Sequence, residues 1–484
     1  MELPAGVVPW VEDVVGGRVT SVEQQGRWRP HFFVDVEKGD GSIVPLLLRF
    51  PRDPELVAGS KFLSHFDIAH EARILSALQG RGLAIPKFYG FNEEAQTILM
   101  QRIKGTNDLA DLDEDVRHTV LSEYFENLAR LHSLAVGDDA TVEVGLPESP
   151  EQLALANKFR YMEMDFESVQ KTLRPEPLLE FAIWWIHEHV PLDRMRASWV
   201  QGDTGPGQFM VHDGHISALI DWELSHLGDP MLDLGVMRMR NMLYPVGDLN
   251  SYFDGYAEIR GEPLHAQALC FYTVMSMLLS PLGMAATIQN PDPGIGSMIP
   301  RFGWDVTLRR GLCDALCEAY GVRADPPALP NPRPVQRTDL MRFLAEYLEK
   351  LCLPVGRNDY EQFVLRGAIG VARTVELQGE VGRLLEADDL DDIGAVMGVR
   401  PVDREEGLRQ LSGLVAADPA THALNLLWVF SRMEQRRDFL WRPMMIAQES
   451  RPFEVLYPAE RYLRGPAASG EAVSSTRTKG IDQK

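Results

Sequence analysis

The stretch from Ser198 to Leu234, SWVQGDTGPGQFMVHDGHISALIDWELSHLGDPMLDL, constrains this chain more than any other. Two apolar runs end in carboxylates. Trp199-Val200 leads into Gln201-Gly202-Asp203, and Ile216 to Ile220 leads into Asp221. Between them, Phe209-Met210-Val211 and the pair Asp213-Gly214 predict a β-hairpin, because Asp-Gly tolerates the positive φ of a two-residue turn. Carboxylates at strand ends suit two tasks, holding a metal ion and accepting a proton. Gln208 lies five positions after Asp203, and Asp221 lies eighteen after it. An Asp-Gly turn alone would read as a surface turn; the ordered set of residues is far more specific.

A proton-accepting Asp, a metal-binding amide five residues on and a second metal-binding Asp after a hairpin is the arrangement protein kinases use. The stretch resembles the aminoglycoside phosphotransferase family, whose fold is protein-kinase-like. Members usually carry HGD, an Asn, IDWE, then GDP and a further Asp. Here the corresponding residues are Gln201-Gly202-Asp203, Gln208, Ile220-Asp221-Trp222-Glu223, Gly228-Asp229-Pro230 and Asp233. The phrases DTGPGQF and HLGDPMLDL are most similar to the branch related to acyl-CoA-dehydrogenase-associated phosphotransferases. The resemblance implies an α+β, two-lobe protein-kinase-like fold, with ATP and Mg²⁺ as cofactors and a small-molecule hydroxyl as acceptor. By the same resemblance, Asp203 orients the acceptor hydroxyl and takes its proton, Asp221 binds Mg²⁺, and Gln208 offers an amide oxygen to a second Mg²⁺. Gln201 stands where the family carries His, and Gln208 where it carries Asn. Asp229 braces its loop.

Upstream, Arg18 to Glu23 and His31 to Glu37 predict a hairpin, and Ile43 to Phe50 a third strand. The hairpin tip holds Gly26 followed by Arg27 and Arg29, which reads equally as a phosphate-binding loop or an ordinary polar turn. Arg49, at the end of the third strand, occupies the family position of the phosphate-binding Lys, and a guanidinium can fork onto phosphate oxygens. Its implied partner is Glu71, on a helix predicted over Phe66 to Leu78; Lys61 is a rival cation in a loop. The strand from Thr97 to Ile103 resembles the one that enters the kinase hinge, so backbone groups of Gln101, Arg102 and Ile103 are the implied adenine contacts. His132 reads as a packed helix histidine.

The 484 residues, 45% of them hydrophobic, allow several packed domains. The expected division is a β-rich lobe over 1–104, a mostly helical lobe with the catalytic loops over 105–323, a proline-rich linker over 324–337, a helical module over 338–463 and a disordered tail over 464–484. Gly283 to Phe302 reads as an active-site loop. No transmembrane segment or secretory signal is expected, which points to the cytoplasm, with Cys270, Cys313, Cys317 and Cys352 as reduced, buried thiols. A formal charge of −22 disfavours nucleic acid as a partner. The C-terminal helices carry no catalytic constellation and are a candidate surface for a protein partner. The function expected is therefore ATP-dependent phosphoryl transfer to a small-molecule hydroxyl, with a hydroxyacyl or other hydroxylated metabolite as acceptor. The alternative is a pseudokinase-like regulatory protein that binds nucleotide or a partner.

Overall fold

The computed structural model describes residues 3–25, 29–109, 112–137, 146–156, 158–293, 298–332, 339–357, 359–445 and 472–473. The fold is α+β, with an N-terminal sheet and a helical C-terminal region, as expected. The chain forms two compact units that interleave in sequence. The first comprises Met1–Asp165, Val190–Arg240 and Val246–His265; the second comprises Phe166–His189, Asn241–Pro245 and Ala266–Lys484.

The first unit is built on a five-stranded antiparallel sheet in the order β1 (Gly17–Gln25), β2 (His31–Lys38), β3 (Ile43–Arg49), β5 (Thr97–Gln101), β4 (Phe88–Asn92). Strict alternation along β2 sends Phe32, Val34 and Val36 to one face. A helix over Val7–Val15, not anticipated from the sequence, covers that face with Val7, Val11 and Val15. Its Pro9 falls in the first turn, where no intrahelical N–H bond is lost. Gly26 and Arg27 of the expected hairpin tip lie outside the described residues.

The Ser198–Leu234 stretch folds as β6 (Ser198–Val200), β7 (Phe209–His212), β8 (His215–Leu219) and β9 (His226–Gly228). The β7–β8 hairpin turns at Asp213-Gly214, both at positive φ, as the Asp-Gly pair predicts. Strand β9 was not anticipated. It pairs with β6, Trp199 opposite Leu227, and so ties the loop after Val200 to the loop that holds Asp229. The segment that follows the sheet is fastened to the hairpin by reciprocal Thr106 and Val211 backbone bonds of 3.0 and 2.7 Å.

The second unit packs helices from both sides of the 324–337 segment. Phe181 of the helix Pro177–Glu188 meets Phe430 of Pro419–Trp441, ring centroids 6.1 Å apart. Arg310 and Asp305 of Met298–Ala319 pair with Asp438 and Arg437. The expected borders at 323 and 338 therefore do not coincide with the compact units, because helices on either side of them share one core. The expected tail lies outside the described residues except for Ala472–Val473, which pairs in parallel with Arg323–Ala324.

The Gly283–Phe302 loop is corrected. Helix Ala266–Gln289 runs through Pro281 and Gly283, and the next helix starts at Met298. Pro281 removes one intrahelical bond, but neighbours from Leu278 to Ala285 are largely buried and hold the helix together. This helix is long and apolar enough to cross a membrane by length and composition, yet 89% of its apolar window is buried inside the fold. All four cysteines are free; Cys270, Cys313 and Cys317 are buried, while Cys352 is half-buried.

Gly105 has a φ of 118°, and a Cβ there would lie 2.0 Å from the Val211 carbonyl oxygen. Gly105→Ala is expected to lower the unfolding free energy by ~1–3 kcal/mol through backbone strain and a displaced hairpin, read as a reduced urea midpoint.

Candidate active site

The sheet delivers one half of the site. Arg49 closes β3, and Glu71 stands in the first turn of the helix Ile68–Leu78, whose start is capped by Asp67 accepting from the His70 N–H at 2.7 Å. Arg49 Nε lies 2.9 Å from Glu71 Oε2. Its Nη2 donates to Asp221 Oδ1 at 2.5 Å and to Glu223 Oε2 at 3.1 Å, across more than 170 residues of sequence. Arg29 pairs with the same Glu71 at 3.4 Å and with Glu223, and Arg52 Nη2 donates to Glu223 Oε1 at 2.6 Å. Lys61 is not among the partners of Glu71 or Asp221; the cation at this position is Arg49.

Three guanidinium groups thus interlock with three carboxylates in a largely dry setting. Burial disfavours ionised Asp221, but the charge and hydrogen bond of Arg49 outweigh it and hold the carboxyl below its usual range. Burial dominates at Glu71 and pushes its carboxyl up despite Arg49 and Arg29. Burial, and then the neighbouring Arg49, brings Arg29 down to about 9. Asp221 also sits at φ 63°, a left-handed conformation uncommon outside glycine and concentrated at functional positions.

The second half is the loop after β6. Gly202 has a φ of 82°, and a Cβ there would meet the Leu224 carbonyl oxygen at 2.1 Å, so only glycine allows the chain to turn into Asp203. Asp203 Oδ2 accepts from Gln208 Nε2 at 2.8 Å, and Oδ1 accepts from Arg240 Nη2 at 2.5 Å. Lys158 is buried and donates to the Gly202 carbonyl. The backbone of the loop hangs from one carboxylate: Asp233 accepts the Gln201 N–H at 2.7 Å and the Gly202 N–H at 2.8 Å. His132, packed as expected, bridges Asp233 at 3.0 Å and the Tyr256 hydroxyl at 2.7 Å.

Gln201 performs a bracing task that its residue type does not announce. Its side chain is fully buried; Oε1 accepts from the Tyr124 hydroxyl at 2.6 Å, and Nε2 donates to the carbonyls of Gln208 at 3.3 Å and Ile220 at 3.1 Å. Those two carbonyls lie at the base of the β7–β8 hairpin, where the Ile220 N–H also donates to Gln208 at 2.9 Å. One amide therefore fixes Asp203, Gln208 and Asp221 relative to each other. Asp229 is held by a two-pronged pair with Arg194 at 2.6 and 3.0 Å and caps Met231, which makes it part of the framework.

Gln208 Oε1 is buried and has no hydrogen-bond partner among the described residues. Buried amide oxygens are rarely left so, and an oxygen-seeking cation beside Asp221 would satisfy it. That oxygen suits Mg²⁺ as one ligand, while among the described residues no group of three or more His, Cys, Asp or Glu side chains is placed to hold a metal ion. At the expected hinge, the Gln101 N–H donates to Lys87 at 2.8 Å and the Arg102 N–H to Pro45 at 3.1 Å, so both are spent within the sheet. The Arg102 side chain pairs with Asp35 at 2.6 Å, and Ile103 follows immediately. Sequence reasoning missed Arg52, Glu223, Arg240 and Lys158 as site residues. Glu223 lay inside the IDWE phrase; the other three have no local signature.

With this geometry in place, comparison with known proteins is informative. Residues 28–268 match the family model described as the phosphotransferase enzyme family, APH. This part of the chain belongs to that family. A curated relative, mouse acyl-CoA dehydrogenase family member 10, is 26% identical over 190 residues, which make up 37% of this chain and 17% of the mouse protein. Similar solved structures include a candidate aminoglycoside phosphotransferase from Ralstonia eutropha JMP134, with 21% identity, TM-score 0.49 and coverage of 64% of this chain and 94% of that one. Another is macrolide 2′-phosphotransferase MphH from Brachybacterium faecium, with 20% identity, TM-score 0.41 and coverage of 58% and 97%.

Gln201→Leu keeps the volume but removes the acceptor of the Tyr124 hydroxyl proton, the Gln201 bond to the Ile220 carbonyl and one of two bonds to the Gln208 carbonyl. It is expected to lower stability by ~2 kcal/mol, measured by urea unfolding. Burial holds the His70 and His226 imidazoles at about 4, against roughly 6.5 in an unfolded chain. The unfolded chain binds more protons between those values, so the stability these rings contribute is complete above pH 6.5 and falls as the pH drops towards 4. A plot of unfolding free energy against pH should be shallower across that window for His226→Phe.

Proposed function

We propose that this chain transfers the γ-phosphoryl group of ATP to the hydroxyl of a small molecule, with Mg²⁺ as cofactor. The observation that carries this reading is the meeting of Arg49, Glu71 and Asp221 at the base of one hairpin, where Gln208 enters the other strand and lies against Asp203. Asp203 orients the acceptor hydroxyl and receives its proton as the new oxygen–phosphorus bond forms and the bond to the ADP leaving oxygen breaks. Arg49, steadied by Glu71, aligns the phosphates. Asp221 and Gln208 Oε1 are the residues that would hold Mg²⁺, which supplies charge neutralisation on the phosphate oxygens. Such chemistry depends on positioning and electrostatics more than on nucleophile strength. The backbone of Ile103 is the hinge group proposed for adenine, given how the Gln101 and Arg102 N–H groups are used. A hydroxyacyl or other hydroxylated metabolite is the acceptor class, and the free thiols favour a reducing, cytoplasmic setting.

The test is single-turnover ATP consumption with an alcohol panel at saturating Mg²⁺. Asp203→Asn should retain Mg·ATP binding and lose turnover; Asp221→Ala should lose Mg²⁺-dependent nucleotide binding by calorimetry. Unchanged Mg·ATP affinity in Asp221→Ala would refute the metal assignment. Gln208→Asn should leave turnover similar or lower. A gain of about tenfold, equivalent to ~1.4 kcal/mol of barrier, would instead identify the natural protein as a nucleotide-binding regulator with a weakened metal site.

A further inference from the structure

The carboxylate at the centre of the proposed chemistry is already engaged. Asp203 Oδ1 takes Arg240 Nη2 at 2.5 Å, a short charge-assisted bond, while Oδ2 takes Gln208. Lys158 adds a second cation through the carbonyl of the preceding Gly202. The nearest other carboxylate, Asp233, is consumed by two backbone N–H groups and His132. The two cations and two carboxylates balance, and an alcohol approaching Asp203 meets a carboxylate whose two oxygens already accept from Arg240 and Gln208. Asp203 and Arg240 remain partly open, with 27% and 15% of their side chains exposed, whereas Lys158 is enclosed.

These facts bear on which hydroxyl compound can bind. A neutral alcohol must compete with a guanidinium for Asp203 Oδ1. An amino alcohol would in addition bring its ammonium against Arg240. A hydroxy acid can offer Arg240 a replacement carboxylate, and a guanidinium accepts such a partner with good geometry. The exchange frees Oδ1 for the hydroxyl while Arg240 keeps an anionic partner.

We propose that the acceptor is an anionic alcohol, with a carboxylate or phosphate close to the reacting hydroxyl, and that Arg240 selects it by exchanging Asp203 for the acceptor's anionic group. This rests on the phosphotransferase reading and narrows its substrate class. Arg240 is thus a specificity-determining residue, and Lys158 positions the loop beneath it.

The experiment uses the full chain and three matched probes, 3-hydroxybutyrate, 1,3-butanediol and 4-amino-2-butanol, with glycerol 3-phosphate to tell a phosphate from a carboxylate. Binding is measured by titration calorimetry with and without Mg·AMP-PNP. At least one of the two anions should bind about tenfold or more tighter than the diol and the amine, a difference of ~1.4 kcal/mol. Arg240→Met should abolish that preference, and Arg240→Lys should keep much of it. Thermal unfolding of both variants checks that they fold. A merely structural arginine would weaken all probes alike. Equal or tighter binding of the diol or amine, an anion preference that survives Arg240→Met, or no anion binding at all overturns the inference. The titration of Mg·AMP-PNP alone reports separately on the phosphotransferase reading, which stands or falls by nucleotide binding rather than by acceptor charge.

Discussion

The Arg49 guanidinium is the interaction on which the rest of the site depends. It draws together a strand end, a helix and the loop after a hairpin, three segments that nothing in the local chain would hold in register. A buried cation of this kind needs its partners, and they need it: removing one leaves an uncompensated charge away from water. Arg29 and Arg52 spread the same constraint over Glu223. The cluster is nearly balanced in charge, so burial is tolerated, and the displaced carboxyl titrations of Asp221 and Glu71 show how closely the terms oppose each other.

The loop after β6 is held by different contacts. Its backbone is suspended from Asp233, and its side-chain anchor is the amide of Gln201. A His in that position offers two ring nitrogens; the Gln amide offers one acceptor and two donors, and all are used here on Tyr124, Gln208 and Ile220. Gln201 thus braces the loop through its amide. Asp221 in a left-handed conformation is the remaining cost, carried by a hairpin clamped at its base.

Much of this was legible in the sequence for a physical reason. The Asp213-Gly214 turn, the apolar runs before Asp203 and Asp221, and the apolar pattern around Glu71 are local signals, and each produced the element expected of it. Arg240 and Arg52 were invisible because a partner far along the chain leaves no pattern around the residue itself. Strand β9 is too short to show alternation. Gly283 to Phe302 reads as a loop from its glycines and prolines, whereas burial along the neighbouring turns of the helix Ala266–Gln289 overrides propensity. Helix Val7–Val15 was overlooked because nine residues with a proline give little periodic signal.

The interleaving of the two compact units has a consequence for how the chain emerges during synthesis. The first unit cannot close until His265 has been made, and the helix Pro177–Glu188 is produced well before the segments that cover it. Phe181 and Trp185 of that helix end up buried, partly against Phe430 and Phe271. Trp185 gains Phe271 once the helix Ala266–Gln289 is made, but Phe181 waits for Phe430, so the nascent chain carries part of an apolar face for the time taken to add more than two hundred residues. A chain ended within 324–332 would leave the side of the helix that meets Phe430 uncovered, and the C-terminal helices thus complete the burial of a segment that belongs, by sequence, to the middle of the protein.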